Sequence, residues 1–457
     1  MNRKTPADNL PSAPKAGSIA RRAALLGPLA VLSGCGVWDD WMGKDKPQLP
    51  GHREAIGAGT HGLDIENASP GTVVVPPAMR NASWPTPGGN TAHVTGNLVA
   101  GAELSQVWRS SIGSGGGYRQ KILAQPVIDN GIVYTMDSDA EVTAFDAATG
   151  SRKWRLDTRG KDDDSTNIGG GLSIDQGVLY AVNGLADVLA IDAATGSVKW
   201  RRNTGTPARS APTIAEGKLY YVTFNDQLVA LDTTDGRQIW AYRAQSATTS
   251  LLGQPAPAYA DGLVVAGFGS GELTTVRADS GGVAWTDSLA AAVGQGVSSE
   301  LSAIRGLPAI VQGRVYVIGL GGLTLSIDLR SGRRLWEREI GGGSDSPWVA
   351  GDWMFIVTLG QKIVALNRAD GRPAWVAQLP AYDDEKKKKN PIHWFGPVLV
   401  GDRLIVVGNN STALSISPFT GKTMGQQDLS GAASLGPVIA DGTLFVVTDN
   451  GSLTAFR

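Results

Sequence analysis

Residues 146–154 read DAATGSRKW and residues 192–200 read DAATGSVKW, two nonamers that differ at one position and stand 46 residues apart. Extended by one residue towards the N-terminus, the phrase recurs along the chain. FDAATGSRKW ends at Trp154, IDAATGSVKW at Trp200, LDTTDGRQIW at Trp240, VRADSGGVAW at Trp285, IDLRSGRRLW at Trp336 and LNRADGRPAW at Trp375. A degenerate copy, ISPFTGKTMG, ends at Gly425. Successive tryptophans are 46, 40, 45, 51 and 39 residues apart. A period of about 40–50 residues restricts the fold to propeller blades or arrays of paired helices.

The content of each period decides for blades. Residues 126–156 read PVIDNGIVYTMDSDAEVTAFDAATGSRKWRL, four short runs rich in β-branched and aromatic residues, separated by turn signals. Apolar residues alternate with a period of two, whereas helices would show spacings of three and four. Asn130-Gly131, Asp261-Gly262 and Asp441-Gly442 supply the positive φ angles of tight hairpins, and Glu216-Gly217, Gln312-Gly313 and Gly401-Asp402 are looser versions. Eight inner three-strand units begin near residues 123, 170, 211, 255, 308, 346, 396 and 436. The last stops at Phe456-Arg457 without a fourth strand, while SQVWRSSIG (105–113) carries Trp108 with no triplet ahead of it. Residues 105–111 are therefore expected to complete the eighth blade, so that both ends of the domain close the ring and remove its open edge. The expectation is an all-β, eight-bladed propeller over residues 84–457.

In that fold the repeated phrase is a joint. Its glycine takes the positive-φ corner between third and fourth strands, its Asp and Thr side chains bond turn amides, and its tryptophan lies between neighbouring blades. Trp108, Trp154, Trp200, Trp240, Trp285, Trp336 and Trp375 are assigned this docking role. A residue repeated once per blade serves a need repeated once per blade.

Charge and cysteine count remove several functions. Lys+Arg 41 against Asp+Glu 42 gives a net charge of −1, with no basic stripe for nucleic acid. The single cysteine, Cys35, permits no intrachain disulfide and no cysteine-ligated metal cluster, and the four histidines show no ligand spacing. The acidic runs Asp162-Asp163-Asp164 and Asp383-Asp384-Glu385 and the run KKKK (386–389) read as solvated loops. No catalytic residue, metal or cofactor is expected.

The N-terminus reads as a targeting segment. Arg21-Arg22 precede the apolar run AALLGPLAVL (23–32) and Ser33-Gly34-Cys35. That run is too short to span a membrane, which takes about 20 residues. Leu32-Ser33-Gly34-Cys35 resembles the bacterial lipobox, in which cleavage leaves an acylated cysteine; residues 1–34 are then the signal peptide. Gly36, where an aspartate would retain the protein, fits sorting to the outer membrane. Residues 35–83, with scattered charge, Gly and Pro, are expected to form an extended tether.

The pattern aliphatic-Asp-x-x-Thr-Gly-x-x-x-Trp resembles the docking repeat of the quinoprotein (PQQ-type) propellers. Within that superfamily the chain is similar to the BamB lipoproteins of the outer-membrane β-barrel assembly (BAM) complex. The stretches that carry this are GSGGGYRQKILAQPVIDNGIVYTMD (113–137), ATTSLLGQPAPAYADGLVVAG (247–267) and SSELSAIRGLPAIVQGRVYVIG (298–319). NASWPTPGGNTAH (81–93) and KKKKNPIHWFGPVLV (386–400) look like the α-proteobacterial branch. The resemblance implies a non-enzymatic, lipid-anchored scaffold on the periplasmic face of the outer membrane. Its implied partners are the periplasmic repeats of BamA, other BAM subunits and nascent outer-membrane proteins. Carried over by position, BamA-binding loops fall on Thr249, Leu251 and Leu252 and on Glu300, Ser302, Ala303 and Arg305. Leu252 stands where some members have arginine, and Ala303 and Arg305 where some have acidic residues. The other class sharing the repeat, PQQ-dependent dehydrogenases, needs a bound Ca²⁺ and a carboxylate base, and the alcohol-oxidising kind stacks its quinone on a vicinal disulfide that one cysteine cannot make. A periplasmic ligand-binding propeller is the third reading of the same fold.

Overall fold

A computed structural model describes residues 61–64, 71–101, 103–117, 120–160, 167–246, 253–289, 303–343 and 345–457. Among these, strands assemble into eight four-stranded antiparallel sheets, the blades of a propeller. Blade 1 comprises Val127–Asp129, Ile132–Met136, Glu141–Asp146 and Arg152–Asp157, from the axis outwards. Blades 2 to 6 follow over residues 170–203, 213–243, 258–288, 309–339 and 348–378. Blade 7 comprises Trp394–Val400, Arg403–Gly408, Thr412–Ile416 and Thr423–Asp428. Blade 8 takes its three inner strands from Val438–Ala440, Thr443–Thr448 and Ser452–Phe456, and its outer strand from Gln106–Ser111, which pairs with Ser452–Phe456. The ring closes as the sequence predicts.

The hairpin signals act as expected except at Gly401-Asp402, where Gly401 alone has positive φ. Asn130-Gly131, Glu216-Gly217, Asp261-Gly262, Gln312-Gly313 and Asp441-Gly442 all have positive φ at both residues, and so does Gln176-Gly177, which the sequence reading passed over. Such paired angles define the turn whose twist matches that of the flanking strands. The run Lys386–Lys389 belongs to a small exposed hairpin, Tyr382–Asp384 with Lys389–Pro391, between blades 6 and 7.

The tryptophans dock as a set. Each indole N–H donates to a carbonyl in the repeated turn of the next blade: Trp108 to Ala147, Trp154 to Ala193, Trp200 to Thr233, Trp240 to Ala278, Trp285 to Leu329, Trp336 to Arg368 and Trp375 to Pro418, at 2.7–3.1 Å. The ring lies against the turn glycine, so close that a Cβ added to Gly281 would come within 2.7 Å of Trp240. Gly281 also has φ of +70°, so the position forbids a side chain twice over. Within the turn Asp146 accepts bonds from the Ala148 and Thr149 amides and the Thr149 hydroxyl, all at 3.1 Å. These donors hold its carboxyl below the usual aspartate range.

One expectation fails. The tether was expected to run to residue 83, yet residues 71–83 pack against the blades, and 84–98 enter the axis of the ring. Trp84 exchanges backbone bonds with Ile128 of blade 1 at 2.7 and 2.8 Å. Pro85 accepts from Ile174 of blade 2, Thr91 from Tyr259 of blade 4 and Ala92 from Ile310 of blade 5. The Thr86 hydroxyl reaches Pro212 before blade 3, Trp348 of blade 6 donates to Gly96, Leu98 donates to Leu399 of blade 7, and Asn81 bonds Ile439 of blade 8. The segment thus touches every blade. Trp84 is 1% exposed and stacks on Trp348 with ring centroids 6.3 Å apart. The physical reason is that the eight innermost strands have one unpaired edge each, and their amides need partners. Polar composition hid this, because the segment bonds mainly through its backbone.

His93 lies in this plug, its Nδ1 2.8 Å from the Pro308 carbonyl, which fixes the proton on Nδ1. Burial, set against that one hydrogen bond, pushes its pKa down to about 4. Between pH ~4 and ~6.5 the unfolded chain therefore binds more protons, so this contribution is complete above pH ~6.5 and is lost as pH falls towards 4, by up to about 3 kcal/mol. The melting temperature of the wild type should drop over that window, and His93→Gln should flatten the drop; an identical profile in the variant would show that His93 does not set it. At the docking seam, Trp240→Ala should cost about 3–5 kcal/mol in denaturant unfolding. Gly281→Ala should cost about 2 kcal/mol on its own and less in the Trp240→Ala background, where the ring it strikes is gone. Additive losses would contradict the docking geometry.

Candidate functional site

The loops that lead from an outer strand to the inner strand of the next blade converge on one end of the channel. They surround a cavity of about 150 Å³ floored by Pro87 of the plug and lined by Gln125, Arg209, Gln254, Arg305, Asp345 and Leu435, among others. The site is therefore assembled from six or more separate stretches of chain, each positioned by the strand that follows it.

Arg305 and Asp345 are oppositely charged neighbours in this mouth. Burial pulls the Arg305 guanidinium down from its usual range, and Asp345 opposes that. Asp345 is pushed up by burial, against the amides of Gly396 and Ser346, which donate to its carboxylate, and against Arg305. The loop carrying Arg305 is held tightly there: a Cβ on Gly306 would fall 2.4 Å from the Asp345 carbonyl oxygen.

A second cation has no such carboxylate. Arg209 donates through one terminal nitrogen to the Ile168 carbonyl at 3.4 Å and lies 4.3 Å over the Phe224 ring, while its buried Nε has no hydrogen-bond partner. Burial lowers its pKa with nothing to counter it. Beside it, Gln254 donates to Asp226 at 2.7 Å and leaves a buried Oε1 without a partner. Among the described residues that line the mouth, two guanidinium groups stand against one carboxylate, with Asp226 behind Gln254, next to a donor and an acceptor that are both unsatisfied. Such groups suit a partner that brings a carboxylate and a polar hydrogen.

Of the residues singled out from the sequence, Cys35, Thr249, Leu251, Leu252, Glu300 and Ser302 lie outside the described residues. Arg305 is in the mouth. Ala303 is 2% exposed, its carbonyl bonded by Leu320, and the adjacent Ile304 is packed among blade 4 and 5 side chains, so Ala303 drops out as a contact residue. The backbone of this stretch wedges between two blades, which no sequence pattern announces. Sequence reasoning missed Arg209, Gln254 and Asp345. Their only shared signal is position: each stands a few residues before an inner strand.

Among the described residues no group of three or more His, Cys, Asp or Glu side chains is placed to hold a metal ion. The acidic run at Asp383-Asp384-Glu385 turns on itself, with Glu385 accepting from the Ala381 and Tyr382 amides.

Comparison with known proteins agrees with this architecture. The family model for the outer membrane protein assembly factor BamB matches residues 90–167, 161–377 and 361–457. Outer membrane protein assembly factor BamB of Yersinia pestis is 28% identical over 358 residues, covering 77% of this chain and 88% of that protein. The Escherichia coli (strain K12) protein of the same name is 28% identical over 353 residues, covering 76% and 87%. Among solved structures, BamB from Moraxella catarrhalis superposes with a TM-score of 0.66 at 20% identity, covering 78% of this chain and all of that one. Quinohemoprotein alcohol dehydrogenase from Comamonas testosteroni gives 0.65 at 14% identity, which is a likeness of fold alone. The chain belongs to the family of the outer membrane protein assembly factor BamB.

Proposed function

We propose that this protein is a non-catalytic subunit of the outer-membrane β-barrel assembly complex, and that the mouth of its channel holds the periplasmic repeats of BamA. The family match across residues 90–457 carries the assembly role. The guanidinium groups of Arg209 and Arg305 in the described lining, which is continuous in sequence with the stretches that contain Thr249, Leu251, Leu252, Glu300 and Ser302, support the choice of face. Leu251 and Leu252, next in sequence to Gly253 of the lining, would supply the apolar anchor, and a carboxylate of the partner would meet the guanidinium groups. Cys35 would carry the lipid that keeps the protein at the periplasmic face of the outer membrane, with two or more acyl chains making the anchorage stable.

A non-enzymatic role also fits the way the axis is filled. Residues 81–98 bond every blade from within, so the ring acts as a rigid frame for its loops. A dehydrogenase reading would require turnover of alcohols or sugars after addition of PQQ and Ca²⁺, and none is expected.

Leu251→Asp combined with Arg305→Glu should abolish co-purification of BamA while the variant melts cooperatively like the parent. Arg209→Ala alone should weaken the complex roughly tenfold or more, and added salt should narrow the gap between parent and variant. Undiminished capture of BamA by the double variant would move the site elsewhere.

A further inference from the structure

Seven seams between blades hold a docked indole, and the eighth does not. In blade 1 Tyr134, Ala144 and Trp154 stand side by side across three strands. The same row is Phe445, Ala455 and Trp108 in blade 8, but Ile405, Ser415 and Gly425 in blade 7. Both rings of the row are missing at once. The seam between blades 7 and 8 therefore keeps a cavity of about 250 Å³, lined by Leu104, Ile405, Gly425, Leu444, Val446 and Phe456. A Cβ placed on Gly425 would meet nothing within 4 Å, and Gly425 is absent from the positive-φ residues, so this glycine is required by neither space nor backbone.

The strand beside the cavity is also unguarded. Thr423–Asp428 reads TMGQQD, is exposed along its whole length, and forms the outer edge of its sheet. Other outer strands carry the residues that discourage a further strand from pairing: Arg152, Lys153 and Arg155 in blade 1, Lys199, Arg201 and Arg202 in blade 2, Arg334 and Arg338 in blade 5, Pro373 in blade 6. Thr423–Asp428 contains no Lys, Arg or Pro. The outer strand of blade 4, VAWTDS, also contains none, but its own Trp285 fills its seam. An edge glycine is where an aromatic residue on the adjoining strand can lay its ring across the gap.

We propose that this seam binds an extended peptide strand in trans, which pairs with Thr423–Asp428 and places an aromatic side chain, opposite Gly425, where tryptophan sits at the other seven seams. The ring is specified by those seven precedents, and the extended backbone by the free edge. Charge selects a neutral segment: Glu103 and Arg403 line the cavity with one charge of each sign, and the strand has a single charge, Asp428, at its end. The seam is distinct from the mouth of the channel, so the inference stands apart from the reading given under Proposed function.

Two labelled ten-residue peptides of threonine and serine, one with a central tryptophan and one with alanine in its place, would be titrated with the full chain by fluorescence anisotropy. The tryptophan peptide should bind at least tenfold more tightly than its twin. Gly425→Trp should weaken it at least tenfold while raising the melting temperature, because the cavity is then filled in cis. Met424→Lys, at a residue 56% exposed, leaves the fold untouched and should weaken binding several-fold by guarding the edge, which keeps the test decisive should Gly425→Trp misfold. Equal affinity for the two peptides, or binding undiminished in a folded Gly425→Trp or Met424→Lys variant, would overturn the proposal.

Discussion

The ring depends on a contact between a ring and a missing side chain. Each docked indole needs a flat seat on the next blade, and a turn glycine with positive φ is the residue that supplies it without a Cβ in the way. The indole N–H then finds a carbonyl in that same turn, so the only polar atom of the side chain is satisfied as its apolar surface leaves water. Burying one such side chain contributes on the order of 4 kcal/mol by area, as an upper figure. Because Trp and Gly lie on neighbouring blades, the contact couples each blade to the next, and stability is built seam by seam around the circle.

Joining blades edge to edge leaves a second problem at the axis, where eight inner strands present unpaired backbone. Residues 71–98 answer it by supplying carbonyls, amides and two hydroxyl or amide side chains to all eight blades. The turn Pro87-Gly88-Gly89 reverses the chain inside the channel, and Gly89 is needed there because a Cβ would fall 2.4 Å from Thr95. A channel filled in this way gives the loops above it a fixed floor. Partner binding can then rely on side chains such as Arg209 and Arg305 whose positions are set before the partner arrives, which spares ordering cost at association.

The repeat and its exceptions divide the molecule by purpose. Where the phrase is kept, the residue serves the seam. Where it fails, at Gly425, the seam stays open beside an unprotected strand. The loops at the mouth are unlike one another in length and sequence, as expected where each has its own contact to make rather than a shared packing need.

Much of this was legible in the sequence. The period of the tryptophans, the alternation within each blade and the paired turn residues specified eight four-stranded blades and the closure by residues 105–111, because all of these are local or strictly repeated signals. The docking tryptophans were legible for the same reason, and so was the oddity at Gly425. The plug was not: NASWPTPGGNTAH acts through backbone bonds to residues far along the chain, and its composition looks like linker. Nor was the charge of the mouth, since Arg209, Arg305 and Asp345 come together only when the segments before blades 3, 5 and 6 converge on one end of the channel. Sequence by itself thus determined the unit and how many times it is used. Tertiary structure decided what fills the axis, which seam is left open and which charges share one mouth, because those contacts join residues whose spacing along the chain carries no periodic trace.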